Sequence, residues 1–279
     1  VSHVAIVTDS TASIPEQLRR QWDITVIQLQ LQVGDHADAE NRFDRGDLAA
    51  ALRAGRRIST NPPDPGAFFW AYQQAASAGA SAVVSLHISQ RMSGTLQAAQ
   101  EAARQAQIPV YPVDSGTTGM SLGFAVLSAA RAAAAGGRVE RVLEAAQRRF
   151  STSSELVYVD TLEYLRRGGR IGGAAALLGT ALSIKPLLTV RDGEVAPLTR
   201  AVGSRRALAK LVDLAAERAG NRPADLAISC FRPSERELAL VQQLRERVRN
   251  LKELSIVEAS TVIGAHVGPG ALSITVSAG

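Results

Sequence analysis

Three short motifs place hydroxyl groups where an anion could be held: Thr8-Asp9-Ser10-Thr11, Ser93-Gly94-Thr95 and Asp114-Ser115-Gly116-Thr117. Each follows a short apolar run and precedes a helical stretch. Hydroxyls and free backbone N–H groups therefore gather at a helix N-terminus. The helix dipole favours an anion there by about 0.3–1 kcal/mol, and hydrogen bonds to a charged group add about 1.5–3 kcal/mol each. The plainer alternative is that each Ser, Thr or Asp caps its own helix. On a parallel sheet the three junctions would lie at the strand C-termini along one crevice. That shared edge makes Asp9, Ser10, Asp114 and Ser115 candidate cleft residues beside Ser93, Gly94 and Thr95.

A second group is basic. Arg166-Arg167-Gly168-Gly169-Arg170 reads as a glycine-flexed loop, and residues 264–270 (GAHVGPG) read as a tight turn around His266. A histidine in such a turn either faces a cleft or is a satisfied structural residue. The arginines either meet a ligand or are solvated charge.

Other chemistries fail on context. Gly119-Met120-Ser121-Leu122-Gly123 matches the GxSxG nucleophile elbow, which needs a sharp turn at the serine. Here Ser121 lies inside a helical stretch, so a serine esterase is a weak reading. Gly268-Pro269-Gly270 precedes a strand, not a helix, unlike a dinucleotide fingerprint. No GxxxxGK[ST] loop occurs, so ATP binding by this chain is not expected. His3, His36, His87 and His266 lack zinc-ligand spacing, and no tight carboxylate cluster suggests Mg²⁺. The residues alone therefore point to an anion-binding cleft with no evident nucleophile, metal or cofactor.

The 279 residues are 46% apolar, 20% charged and 4% aromatic, enough for a sizeable core and about two domains. Lys and Arg total 31 against 26 Asp and Glu, and only Lys185, Lys210 and Lys252 are lysines. The arginines are scattered in pairs such as Arg56-Arg57, Arg148-Arg149 and Arg205-Arg206, without interleaved aromatics. Nucleic-acid binding is not expected. Cys230 is the single cysteine, which excludes an internal disulfide. No apolar run reaches the ~18–20 residues of a membrane span. The N-terminal VSHVAIVTDS lacks the features of a signal peptide. A soluble cytoplasmic protein is the expectation.

The elements that must carry these groups follow from periodicity. Short apolar runs at 4–7, 83–86 and 110–113 alternate with helical stretches from Pro15, at 93–106 and at 117–135. That rhythm predicts an α/β N-terminal domain with a parallel, Rossmann-like sheet over residues 1–150. Residues 27–33 (IQLQLQV) alternate strictly and predict one strand; an acidic polar loop (GDHADAENRFDRGD) follows. In the second half, Asp192-Gly193 sits between apolar runs at 186–190 and 195–202, a hairpin signal. Strands at 156–159, 226–230, 256–257 and 271–276 alternate with helices at 204–219 and 234–248. An α+β domain with a mixed or antiparallel sheet is predicted over residues 151–279.

In this order, TDSTASIP, SLHISQRMSGTLQAAQ, VDSGTTGMSLG, TLEYLRRGGRIG, LSIKPLL and VIGAHVGPGAL span both halves. The chain thereby resembles the DegV family, the fatty-acid-binding subunits of bacterial fatty acid kinase. The resemblance implies a two-domain DegV-like fold with a fatty acid held between the domains. Ser93 and Thr95 of the SGT motif, with Gly94 between them, and Thr60 would bind the carboxylate. His266 would lie beside the head group, and with Arg170 would support phosphoryl transfer. The acyl tail would run into an apolar tunnel. The chain would be non-catalytic, with no cofactor of its own. A separate ATP-dependent kinase would phosphorylate the bound carboxylate to an acyl phosphate that feeds phospholipid synthesis. Arg200, Arg205 and Arg206 are candidates for docking the kinase, and a basic surface would also suit transient contact with an anionic membrane. The alternative is a carrier of an amphipathic carboxylate without a kinase. One departure stands out: the family loop usually reads TSQP, whereas this chain has Thr60-Asn61-Pro62-Pro63. Two prolines stiffen the loop. Met92 also replaces the more usual Leu before Ser93, an apolar swap that cores tolerate.

Overall fold

A computed structural model describes residues 3–179, 181 and 183–279. Leu182, the first residue of the LSIKPLL motif, and Val1 and Ser2 at the N-terminus lie outside them. In chain order the elements are β1 (Val4–Asp9), α1 (Glu16–Gln21), β2 (Ile24–Ile27), β3 (Gln30–Val33) and β4 (His36–Ala39). Next come α2 (Arg45–Arg53), β5 (Ile58–Asn61), α3 (Pro65–Ser77), β6 (Ala82–His87), α4 (Thr95–Ala103) and β7 (Val110–Asp114). Helices α5 (Gly119–Ala134) and α6 (Val139–Thr152) lead into β8 (Ser153–Tyr158) and α7 (Glu163–Arg167). The chain closes with β9 (Ile184–Arg191), β10 (Glu194–Val202), α8 (Ser204–Ala219), β11 (Ala224–Cys230), α9 (Glu235–Arg247), β12 (Leu251–Glu258), α10 (Thr261–Val267) and β13 (Leu272–Ala278).

Strands β2-β1-β6-β7 form a wholly parallel sheet. β6 is buried along its whole length, as a central parallel strand covered by helices on both faces must be, and its two polar side chains, Ser85 and His87, bond each other. The second half forms a six-stranded mixed sheet, ordered β10-β9-β8-β13-β11-β12, in which only the β11–β12 pair is parallel. The mixed α/β architecture expected from the sequence is thus present. The predicted Asp-Gly hairpin joins β9 and β10, with Asp192 at φ 52° and Gly193 at φ 80°. Both central residues have the positive φ of a type I′ turn.

Helix α5 lies between the two sheets. Every residue from Gly119 to Leu127 is buried, and its apolar side chains share one core with Val4, Ile6 and Val84 of the first sheet and Ala227 and Val257 of the second. A segment apolar all round must be covered all round; the one charged residue of the helix, Arg131, falls in its last turn.

Three expectations need correction. The alternating run 27–33 is two strands. β2 ends at Ile27 in the parallel sheet, and β3 starts at Gln30 in a separate antiparallel sheet, β4-β3-β5. At the break Leu29 is buried, and its N–H donates to Ser10 Oγ (3.0 Å). The acidic stretch after Val33 is not a loop: it holds β4, a 3-10 turn and the start of α2, capped by Asp44 accepting from Gly46 and Asp47 N–H. Lastly, His266 does not sit in a glycine turn. It is in the last turn of α10, and the turn begins at Gly268.

Candidate functional site

The site begins on β5, where Thr60 faces inward opposite Leu31. Thr60 Oγ1 is 2.8 Å from His266 Nε2, so the β3–β5 sheet and α10 meet at this pair. Burial, and then the nearby Arg170 guanidinium, push the His266 pKa down to about 4. The imidazole is therefore neutral at pH 7, and Arg170 is the cation of the pair. His266 Nδ1 is buried and has no hydrogen-bond partner among the described residues. The ring fits because residue 168 is glycine: a Cβ there would stand 2.2 Å from Nδ1.

Arg170 ties two motifs together. Its Nη1 donates to Gly168 O (2.7 Å) and its Nε to Met92 O (3.2 Å). The RRGGR segment is not a free basic loop, since Arg166 and Arg167 close the last turn of α7 and both pair with Glu163. Those guanidiniums hold the Glu163 carboxyl at about 2. Only Arg170 of the three turns to the loop that carries Ser93. Ser93 Oγ bonds Thr95 Oγ1 (2.8 Å) and accepts from Thr95 N (3.3 Å). Thr95 is fully buried and positions Ser93. Pro62 packs over Gly94, so the Pro62-Pro63 departure rests directly on the SGT turn.

Thr60, Ser93, Arg170 and His266 together rim one apolar cavity. Gly94 and Thr95 stand behind that rim. A second chamber adjoins this cavity, and both are walled by Thr118, Leu165, Val195, Ile263 and Val267. Each has a volume of about 80 Å³. A wider vestibule of about 540 Å³, lined by Arg56, Arg57, Arg167 and Arg170, lies outside. The arrangement is an amphipathic slot: hydroxyls, a neutral imidazole and a guanidinium at the mouth, and aliphatic walls behind. The β9–β10 turn helps to close it. Ser89 Oγ donates to Gly193 O (2.7 Å), Arg91 Nη1 to Asp192 O (2.8 Å), and Arg91 pairs with Glu194. A Cβ on Gly193 would fall 2.6 Å from Ser89 Oγ, so this approach requires glycine.

The other candidates lie elsewhere. The three parallel-strand junctions do share one sheet edge, but Asp9 is buried and accepts from Thr11 N–H, Thr11 Oγ1 and Ile88 N–H. Ser10 serves Leu29 N–H. Asp114 accepts from Gln90 and Gly116 N–H, and Ser115 Oγ bonds Thr117. These bonds tie the four residues to their own loops, and the Asp9-Ser10 segment also borders a separate cleft of about 420 Å³ with Arg19, Arg45 and Glu258. Arg200, Arg205 and Arg206 are exposed and make no ion pair among the described residues. Burial, the main cause, raises the Cys230 thiol to about 12, which leaves it inert.

Sequence reasoning missed two buried networks. His87 Nδ1 lies 3.0 Å from Asp9 Oδ2, and His87 Nε2 lies 2.6 Å from Ser85 Oγ, which also bonds Tyr72 OH (2.8 Å). These are the residue types of a hydrolase triad, yet Asp9, Ser85 and His87 are all fully buried. No substrate reaches them. The second network centres on Glu155 of β8. Its carboxyl is bonded by Ser121 Oγ (2.8 Å), Ser273 Oγ (2.6 Å) and Thr275 Oγ1 (2.8 Å), and burial raises its pKa. Ser121 of the GxSxG match is thus a buried helical residue serving Glu155. A carboxylate directly before the apolar run 156–159 was the signal for this network. Among the described residues no group of three or more His, Cys, Asp or Glu could hold a metal ion, and no helix is long and apolar enough to cross a membrane.

The family model described as "Uncharacterised protein, DegV family" matches residues 3–279. A DegV domain-containing protein of Streptomyces coelicolor is 45% identical over 99% of this chain and 98% of its own. Among solved structures, a DegV family protein from Thermus thermophilus, described for its fatty acid binding, superposes with a TM-score of 0.93. It is 30% identical and covers 99% of both chains. DegV of Bacillus subtilis, described as a fatty acid binding protein, gives a TM-score of 0.89 at 27% identity over 100% of both chains.

Proposed function

The chain belongs to the DegV family, and from that premise we propose that it binds a long-chain fatty acid and presents the carboxylate for phosphorylation. The observation that carries this reading is the polar rim on an apolar cavity that shares a wall with a second apolar chamber. Ser93 and Thr60 hydroxyls donate to the carboxylate, and Arg170 balances its charge. Each buried methylene contributes about 0.8 kcal/mol, so the tail supplies most of the affinity. A carboxylate without partners would cancel several kcal/mol of that gain, so the rim decides whether a head group enters.

The chain itself is non-catalytic in this reading. A separate ATP-dependent kinase supplies nucleotide and Mg²⁺ in the cytoplasm and converts the carboxylate to an acyl phosphate for phospholipid synthesis. Neutral His266, held against Thr60, would stabilise charge developing on the head group. Exposed Arg200, Arg205 and Arg206 suit an acidic kinase face, and the basic surface suits passing contact with an anionic membrane. The domains meeting at residues 150/151 would close on the ligand. Native mass spectrometry of the purified protein, followed by denaturing extraction, tests the reading. A bound mass matching a long-chain fatty acid supports it; a protein that stays empty after titration with fatty acids overturns it. ATP-dependent acyl phosphate formation on addition of the kinase then separates this role from that of a plain carrier.

A further inference from the structure

The inner chamber is not uniformly apolar. Ser229 of β11 is 6% exposed, lines this chamber, and its Oγ has no hydrogen-bond partner among the described residues. In the β11–β13 ladder Ser229 stands opposite Ser273. Cross-strand partners share a face, so Ser229 lies on the side where Ser273 binds Glu155. Nearer the mouth, Thr118 Oγ1 is also buried and has no partner among the described residues, on the wall shared by the two cavities. Thr118 occupies the N-cap position of α5 but does not cap it. Glu155 takes that role by accepting from Ser121 N–H (3.3 Å), which leaves the threonine hydroxyl free for the cavity.

An unsubstituted alkyl chain satisfies neither hydroxyl, and a buried polar group without a partner is unfavourable. Two such groups along one aliphatic slot are a specificity signal, since sites built to hydrogen-bond a substrate group discriminate against analogues lacking it. We infer that the chamber takes a fatty acid whose chain carries an oxygen substituent, a hydroxyl or a ketone, recognised by Ser229 and Thr118. This rests on the fatty-acid reading above and sharpens its substrate class. Both side chains can donate to a ketone or hydroxyl oxygen and can accept from a hydroxyl, and the surrounding Leu, Val and Ile walls still bury the rest of the chain.

The test is calorimetric titration of stearate, a positional series of monohydroxystearates and the matching oxostearates. At least one oxygenated isomer is expected to bind about tenfold tighter than stearate, equivalent to about 1.4 kcal/mol. Ser229→Ala or Thr118→Val should remove that preference, and stearate, freed of the unpaired hydroxyl, should bind at least as tightly as to the parent. If Ser229→Ala does not fold, Ser229→Cys keeps the volume and weakens the hydrogen bond, and it carries the same expectation. Stearate binding as tightly as every oxygenated isomer, or a preference that survives both substitutions, overturns this inference alone. Binding of none of these acids overturns the fatty-acid reading beneath it.

Discussion

Two histidines of this protein contact hydroxyl groups, and their surroundings are opposite. His87 lies inside the parallel sheet, with one nitrogen on Asp9 and the other on Ser85. His266 stands at a cavity, with one nitrogen on Thr60 and the other without a partner among the described residues. The first site has the better triad geometry and no access. The second has looser chemistry and an apolar slot behind it. Hydrogen-bond geometry alone favours His87. Access, together with an unsatisfied atom, favours His266.

The comparison breaks most sharply at Asp9. Asp9→Ala leaves the His87 ring and the Thr11 and Ile88 N–H groups without their buried acceptor. We expect it to lower unfolding free energy by about 3–5 kcal/mol, read from urea denaturation, with fatty acid affinity of the folded fraction unchanged. A large loss of affinity at native stability would place Asp9 in the site.

The next test is pH. The folded pKa of His266 lies near 4 and the unfolded value near 6.5. The unfolded state therefore takes up the proton first. Stability from this group is full above about pH 6.5 and is lost as pH falls toward 4, by about 2–3 kcal/mol. His266→Gln should flatten that part of the urea-midpoint profile between pH 7 and 4. Glu155 has the opposite sign. Its folded pKa is raised, so its contribution is present below the usual carboxylate value and falls as pH rises. Glu155→Gln should accordingly gain stability relative to the parent with increasing pH.

At the mouth, Arg170→Ala removes the cation beside the head group and should weaken fatty acid binding by about 1.5–3 kcal/mol, roughly 10- to 150-fold, in a displacement titration. Ser93→Ala removes one neutral donor and should weaken it by about 0.5–1.5 kcal/mol. Unchanged affinity in both would move the carboxylate elsewhere. The smallest effect belongs to Ser85→Ala, which should leave ligand affinity within about twofold because Ser85 is fully buried and lines neither chamber.

Much of this was legible in the sequence, and the limits are physical. Continuous apolar runs such as 83–86 and the Asp192-Gly193 turn announced β6 and the β9–β10 hairpin, because burial and positive φ are local demands. The run 27–33 misled because a period of two persists across the change of sheet at Leu29. The hydroxyl junctions were recognised as one edge, but which side chains serve their own loops depends on partners far along the chain, such as His87 for Asp9. Ser93, Thr60, Arg170 and His266 came together through resemblance, since spacing cannot bring residue 60 to residue 266. Ser229 and Thr118 escaped notice because a serine in a strand and a threonine before a helix are ordinary in sequence. Only the burial of their hydroxyl oxygens sets them apart.

Helix α5 has a consequence for how such a protein can be inherited or dissected. The chain reaches it before β8, yet the later sheet covers one of its sides. Severing the chain between Thr152 and Ser153 would strip that cover and leave an apolar helix facing water. A fragment comprising the first sheet should precipitate or recruit a substitute for the missing strands. The second sheet alone would expose the matching face. Gene fusions and shuffled chimaeras should therefore preserve the two halves as one piece, with new partners added at the ends and not at the middle.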